Sequence, residues 1–471
     1  MRKSITLTVL LVLLLTATEL PAEPLFSDPV NYPVGDRPYA VCLADFDGDS
    51  DADLATANYW FHSVSVLINN GDGTFADAVN YEVGSHNPEF VLASDLDGDG
   101  DADLAAVCGV YGWVYIFENN GDGTFADAVG YLVGYYPRSV CASDLDGDGD
   151  ADLALTCCMS NNIAILKNNG DGSFAAVVNY PCGDYPRSVF AVDLDADDDA
   201  DLAVVNSYSD NVGILKNNGD GTFADAVSYA VGDSPNSVFA SDLDGDGDDD
   251  LAVTHNNNVA ILKNNGDGTF ADAENYPAGF LPRSIFASDL DNDGDSDLAV
   301  TIYAFDNVAI LLNNGDGTFA AADNYPTGDF PISVFASDLD GDGDTDLAVA
   351  NADSYDVSIL LNLTSLQTPV EYGPWAELPM GFALSQNHPN PFNPNTTFEI
   401  SLPCRSHVQI EIFDIVGRKV KTLDRGELAA GTYSVTWDGR DDGNHPVASG
   451  VYLYRLQADD FVESKKMILI K

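Results

Sequence analysis

Basic residues are scarce in this sequence: 19 lysines and arginines stand against 76 aspartates and glutamates in 471 residues, a formal charge of −57. That imbalance excludes nucleic acid and anionic membrane surfaces as natural partners and makes cations the fitting counterpart. Histidine is scarce, with six, of which only His62, His86 and His255 fall in the repeated region described below. A zinc-protease motif, a nucleophile elbow and a phosphate-binding glycine loop are all missing, so the expectation is a protein that is not an enzyme. Long apolar runs are missing too, and nothing after the first residues resembles a transmembrane helix. The one apolar run, Ile5 to Leu15, spans about 11 residues where a bilayer needs about 20. Preceded by Arg2 and Lys3 and followed by small residues, it predicts a secretory signal peptide over 1–22, cleaved after Ala22.

Cysteine is sparse and odd in number, seven in an exported chain, so at least one thiol is expected to be free or paired between molecules. Cys42 and Cys141 take slots where other repeats carry phenylalanine or leucine and read as buried filler. Cys108, Cys157, Cys158 and Cys182 lie close enough in sequence to pair, which spacing alone does not decide.

What is abundant is aspartate, and it is periodic. The loop "DLDGDGDADL" at 95–104 recurs seven times, beginning at Asp45, Asp95, Asp144, Asp193, Asp242, Asp289 and Asp338, at intervals of 47 to 50 residues. A period of that size points to propeller blades or a solenoid. Each unit reads as four short strands without helical periodicity: one such as "RSVCAS" before the acidic loop, "DLALT" after it, a variable connector, then "NIAILKNN" leading through "GDGSF" to a fourth. The "NNGDGTF" stretch, Asn69 to Phe75 in the first unit, reads as the hairpin joining third and fourth strands, because its glycines and asparagines tolerate positive φ. Metal binding through Asp72 and its equivalents is a weaker reading, one aspartate per turn being a thin ligand set. The seventh unit lacks this hairpin. The segment "FSDPVNYPVG" at 26–35, however, matches the fourth strand of "FADAVNYEVG" at 75–84, so an N-terminal strand is expected to complete the last blade and close a ring without open edges.

Five carboxylates in one tight turn repel one another unless a cation holds them. Counting positions 1, 3, 5, 7 and 9, the first loop offers Asp45, Asp47, Asp49, Asp51 and Asp53, and the second Asp95, Asp97, Asp99, Asp101 and Asp103. The third offers Asp144, Asp146, Asp148, Asp150 and Asp152; the fourth, Asp193, Asp195, Asp197, Asp199 and Asp201. The fifth has Asp242, Asp244, Asp246, Asp248 and Asp250, the sixth Asp289, Asp291, Asp293, Asp295 and Asp297, and the seventh Asp338, Asp340, Asp342, Asp344 and Asp346. Alternate side-chain oxygens at 1, 3, 5 and 9, a carbonyl from 7 and a glycine turn at 6 follow the logic of the EF-hand loop, which makes up to seven calcium ions the expected cofactor. Zinc prefers nitrogen and sulfur, which these loops do not offer. The fourth loop has Ala196 at position 4 and Asp198 at position 6, and the first has Ser50 at 6, so both are expected to bind more weakly. With dissociation constants near ~0.1 mM and free calcium near ~1 mM, linkage contributes about 1.4 kcal/mol per site, roughly 10 kcal/mol for seven. That equals the whole stability of a typical domain and suits a folding ligand better than a signal.

On these residues the units resemble FG-GAP, or VCBS-type, repeats, the family that forms the calcium-binding seven-bladed propeller of integrin α subunits. The resemblance covers 26–362 and implies calcium at the aspartates above, with partner binding on the face opposite the loops. On that face the connectors between second and third strands vary most and carry Tyr59, Trp60, Tyr111, Trp113, Tyr208, Tyr303 and Tyr355 as candidate contacts for a protein or glycan ligand. Arg37, Arg138, Arg187 and Arg283 precede or begin inner strands and are expected to pair with the acidic field rather than to bind an anion. Some propellers of this resemblance are polysaccharide lyases, so a calcium-dependent carbohydrate-active enzyme is the alternative to an adhesion module.

Composition changes after Asn362. A proline-bearing linker over 363–381 precedes residues 382–471, which hold 10 of the 19 basic residues and alternate strands with turns as a small Ig-like β-sandwich does. The segments "HPNPFNPNTTFEISLP" from His388, "TWDGRDD" from Thr436, "SGVYLYRL" from Ser449 and "KKMILIK" from Lys465 resemble the C-terminal sorting domain of type IX secretion substrates, itself similar to the Ig-like domain of flagellar hook-capping proteins. The fold expected is all-β, a seven-bladed β-propeller followed by a small sandwich. The resemblance implies contact with secretion machinery and a secreted or outer-surface location.

Overall fold

The computed structural model describes residues 24–364 other than 85, and 382–470 apart from 393–395, 404–405, 429–430, 438, 442–444, 446 and 459–460. The signal segment 1–22 and all of the linker beyond 364 lie outside the described residues, as does Cys404.

Seven four-stranded antiparallel sheets follow one another along the chain. In the first blade, Pro38–Ala44, Asp53–Asn58, Ser63–Leu67 and Val79–Glu82 pair in sequence order. The burial gradient runs outward: the second strand is buried throughout and the fourth is largely exposed. Second strands such as "DLATAN" alternate small and larger residues, putting Ala55 and Ala57 on one face and Leu54 on the other, and neighbouring blades close over both faces. A second seam is aromatic, the hairpin phenylalanine of one blade meeting the outer-strand tyrosine of the preceding blade edge-on, as in Tyr81 with Phe125 at 5.3 Å.

The last blade consists of Pro331–Ser337, Asp346–Asn351 and Asp356–Leu360, and its fourth strand is Val30–Pro33, paired Val30 to Ile359 through Pro33 to Asp356. The N-terminal strand therefore completes the ring as the repeat offset predicts. The innermost strands Pro38–Ala44 and Pro331–Ser337 pack against each other, so the innermost layer also closes.

Every innermost strand starts with proline, from Pro38 to Pro331, where a missing N–H costs nothing. A register shift follows each proline, for example between Pro38 and Ala40, and such bulges re-aim the next side chain. The shift turns one residue per blade toward the axis, and with it a set of charges that sequence spacing alone scatters 47 to 50 residues apart.

The C-terminal unit has two sheets, one of Ala383–Leu384, Thr396–Leu402 and Gly431–Trp437, the other of Lys419–Leu428, Ser406–Asp414, Gly450–Ala458 and Phe461–Leu469. Phe398, Trp437, Tyr454 and Ile410 form its core, and the two polar tips are satisfied: Trp437 Nε1 donates to the Arg440 carbonyl and Tyr454 Oη to that of Ser385.

The six described cysteines are unpaired, and burial pushes their thiols well above the ordinary range, to about 12 for Cys42, Cys108, Cys141, Cys157 and Cys182. Cys42 is fully packed, as filler should be; Cys141 is half-buried.

Candidate metal centres and the opposite rim

Each acidic loop joins an innermost strand to the second strand of its blade, so all seven emerge at one end of the propeller. In the first loop the position-1 carboxylate shapes the turn: Asp45 Oδ1 accepts from Gly48 N at 2.8 Å and Oδ2 from Ser50 N at 2.8 Å. Asp49 Oδ1 accepts from Asp51 N at 3.0 Å. The position-7 side chain turns away to the hairpin, where Gly71, at φ +74°, would place a Cβ 2.4 Å from Asp51 Oδ2. Six of the seven loops repeat this contact, which leaves the position-7 carbonyl rather than its carboxylate for the turn interior.

Position 9 does more than the sequence suggests. Asp53 Oδ2 accepts from Phe46 N at 2.8 Å and Oδ1 from Asn69 N at 2.7 Å, so it fastens the loop to the hairpin as well as facing the cluster. Burial outweighs those two donors and raises the carboxyl to about 7 in Asp53, Asp250 and Asp297, about 8 in Asp346, and about 6 in Asp103, Asp152 and Asp201.

One carboxylate oxygen each from Asp45, Asp47 and Asp53 lies within 4.8 Å of the others, and corresponding sets form from Asp95, Asp97 and Asp99, from Asp144, Asp146 and Asp152, and in the later loops. A cation fits these sets on a specific observation: the Oδ1 atoms of Asp47, Asp146, Asp195, Asp244 and Asp291, all at position 3, are buried and accept no hydrogen bond. Such an oxygen is costly unless something positive meets it. Burial and then the neighbouring Asp49 raise Asp47, and burial with Asp342 and Asp338 raises Asp340 to about 7. The donors are all oxygen, the set a hard cation takes.

Lysines enter three of the loops. Lys167, Lys216 and Lys263 pair with the position-3 carboxylates Asp146, Asp195 and Asp244 at 3.1, 2.9 and 3.1 Å and donate to the hairpin carbonyls of Asp220, Asp267 and Asp316 in the next blade. The fourth loop keeps its turn without glycine: Asp198 N donates to Asp193 Oδ2 at 2.9 Å, with Ala196 at φ 60° and Asp198 at φ 69°.

The hairpin asparagine is the residue that sequence reading undervalued. Asn69 Nδ2 donates to Ala52 O at 3.0 Å in its own loop and to Leu339 O at 2.9 Å in the preceding blade. Asn119, Asn168, Asn217, Asn264, Asn313 and Asn362 reach the equivalent carbonyls of Phe46, Leu96, Leu145, Leu194, Leu243 and Leu290. Its seven-fold recurrence, including Asn362 where the hairpin itself is lost, was the available signal. Asp72, by contrast, spends Oδ1 on the hydroxyl and N–H of Thr74.

The connectors between second and third strands lie at the other end, because Pro38 pairs with Asn58 while Ala44 pairs with Asp53. Trp60, Tyr111, Tyr208 and Tyr355 are exposed there; Tyr59, Trp113 and Tyr303 are half-buried. Three of the exposed rings pack on a neighbouring side chain. Trp60 lies under the Arg37 guanidinium at 4.2 Å, Tyr208 stacks on Tyr185 at 4.4 Å, and Tyr111 meets His86 edge-on at 4.9 Å. Tyr59 and Tyr303 instead line the mouth of an axial cavity. That cavity receives the residue after each innermost proline, Tyr39, Glu89, Arg138, Arg187, Asn236, Arg283 and Ile332.

The expectation that the arginines pair with acidic residues holds for two of the four. Arg37 pairs with Asp353 at 3.1 Å and Arg138 with the buried Glu89 at 3.2 Å. Arg187 donates to Asn236 and lies over the Tyr185 ring at 5.6 Å, and Arg283 lies over the Tyr303 ring at 4.9 Å; neither forms an ion pair with a carboxylate among the described residues. The acidic field they were expected to neutralise sits at the far end of the blades.

Among the described residues no helix is long and apolar enough to cross a membrane. No curated protein matches the chain. Among solved structures, BBS1N in a complex with ARL6DN is 14% identical, with a TM-score of 0.52, over 72% of this chain and 97% of that one, a likeness of fold. A lectin of Agrocybe aegerita that recognises non-reducing terminal N-acetylglucosamine is 24% identical over 67% of this chain and 86% of its own, TM-score 0.46. PorZ, a surface component of the type IX secretion system of Porphyromonas gingivalis, is 14% identical over 93% of this chain and 60% of its own, TM-score 0.48. Residues 393–460 match the FlgD Ig-like domain. Overlapping matches to the FG-GAP-like repeat run from 45–106 to 289–349, well over half of the chain, which therefore belongs to the FG-GAP-like repeat family.

Proposed function

We propose that this protein is an exported calcium-binding propeller that acts as a non-catalytic recognition module, with residues 382–471 serving as a sorting domain. The observation that carries the calcium reading is the set of buried position-3 oxygens without hydrogen-bond partners, one in each of five loops. Positions 1, 3, 5 and 9 with the position-7 carbonyl would hold the ion, whose charge would offset the mutual repulsion of the aspartates. Because those same loops accept the inter-blade asparagine bonds, ion binding would stiffen the ring rather than drive a reaction.

The recognition reading rests on the opposite end. There the chain exposes Trp60, Phe61, Tyr111, Tyr208 and Phe305 and holds Arg37, Tyr136, Tyr185, Leu281 and Phe330 at positive φ, conformations that non-glycine residues keep only where the surroundings impose them. Export is supported by the apolar segment at 5–15, and sorting by the C-terminal match to a FlgD-type domain.

A melting curve with chelator and with millimolar calcium tests the ion; an unchanged melting temperature refutes it. Binding on a glycan or protein array without turnover supports the module, whereas release of unsaturated sugar products from a polysaccharide overturns it. Export of a carrier fused to residues 382–471 by a bacterium with a type IX route tests sorting.

A further inference from the structure

The propeller, residues 26–362, contains only seven basic residues, and the fold sorts them completely: Lys167, Lys216 and Lys263 go to the acidic loops, and all four arginines to the opposite end. A chain with 76 acidic residues has no shortage of carboxylates for arginine, yet Arg187 and Arg283 meet none among the described residues.

They sit in the axial cavity, on the blades either side of Asn236, with Arg138 on the blade before Arg187. Glu89 neutralises Arg138 at 3.2 Å, so three guanidinium groups face a single carboxylate. Asn236 does not relieve the rest: its Oδ1 accepts from Arg187 Nη1, while its Nδ2 donates to the carbonyls of Ser234 and Pro282. Arg187 Nε is buried with no hydrogen-bond partner. Burial, and then the positive charge of Arg138, hold both Arg187 and Arg283 below the ordinary guanidinium range.

We propose that the propeller axis carries an oxyanion-binding site in which Arg187 and Arg283 receive a carboxylate or sulfate group of a ligand entering from the aromatic end. The planar guanidinium presents parallel N–H donors that match the oxygens of such a group, and a half-buried site strengthens the contact over one in open water. Tyr303, beneath Arg283 and lining the mouth, offers a flat apolar wall for the body of the ligand. The site is independent of the calcium loops and of sorting.

The test uses the full chain with calcium present and titrates sulfate, glucuronate and, as neutral control, glucose at fixed ionic strength, by calorimetry. The expected result is saturable binding of at least one oxyanion, none of glucose, and a loss of about tenfold or more in affinity in the Arg187→Gln/Arg283→Gln variant. Binding of glucuronate alone assigns a carboxylate ligand, and of sulfate alone a sulfated one. If the double variant fails to fold by circular dichroism, Arg283→Lys, which keeps charge but loses the fork, should weaken binding by itself. No oxyanion binding, or equal binding by the substituted proteins, overturns the site while leaving any calcium-dependent melting shift intact.

Discussion

The side-chain amide of Asn69 donates to the carbonyl of Leu339, 270 residues away, and by that bond the first blade is tied to the last across the closure of the ring. The same asparagine satisfies Ala52 O and presents its own N–H to Asp53. Asn69→Ala strands one buried and one half-buried carbonyl and is expected to cost roughly 2–4 kcal/mol. Asn70→Ala, one residue on in the exposed turn, should cost under about 1 kcal/mol. Urea unfolding at fixed calcium separates them, and equal losses would contradict the fastening role.

Acidity should stabilise the ion-free protein. The position-9 carboxyls are raised from 3.8 to between about 6 and about 8, chiefly by burial. Between pH 4 and 8 the folded state then holds protons the unfolded state has lost, so stability falls as pH rises through that window. In chelator the melting temperature should be higher at pH 5 than at pH 8. Calcium should narrow or invert the difference, because it competes with those protons. A chelated protein that melts higher at pH 8 would contradict this.

The fourth loop holds Ala196 and Asp198 at φ 60° and 69°, where five of the other six loops have glycine at position 4 and five have it at position 6. An L-residue in that region carries about 1 kcal/mol of steric cost. Ala196→Gly should therefore raise stability by up to about 1 kcal/mol, read from the chemical-denaturation midpoint. A loss would show that the alanine methyl has a packing role the geometry does not reveal.

Lys216 already supplies a positive charge to Asp195 at 2.9 Å. Lys216→Met keeps the aliphatic stem and removes the ammonium, and the ion-free protein should lose no more than about 1 kcal/mol. Calcium affinity of that loop should rise several-fold because its competitor is gone. Calorimetry on the two proteins checks it; unchanged or weaker calcium binding would refute the competition.

Internal repetition made much of this legible. Seven copies in one chain serve as their own alignment, so blade count, strand order and the offset that brings Val30–Pro33 beside Asp356–Leu360 follow from spacing. What escaped was everything set by the closed ring. Asn69 reads locally as a turn former because its second partner belongs to another blade. Asp53 reads only as a ligand, and its fastening role is missed, because its backbone donors are invisible until the hairpin folds over it. Arg187 and Arg283 are 96 positions apart in the numbering and share one cavity only because the bulge after each proline aims them at a common axis.

The N-terminal strand that completes the last blade also fixes a sequence of events. Until Asp356–Leu360 exists, Val30–Pro33 has no edge to join, so the first segment of the propeller to be made is the last to dock. Synthesis thus proceeds with an incomplete ring, and closure waits on a contact that spans nearly the whole repeat array. A circular permutant that carries residues 26–35 after Leu363 would make that closure local. The natural arrangement instead makes completion of the ring a report that the entire array has arrived.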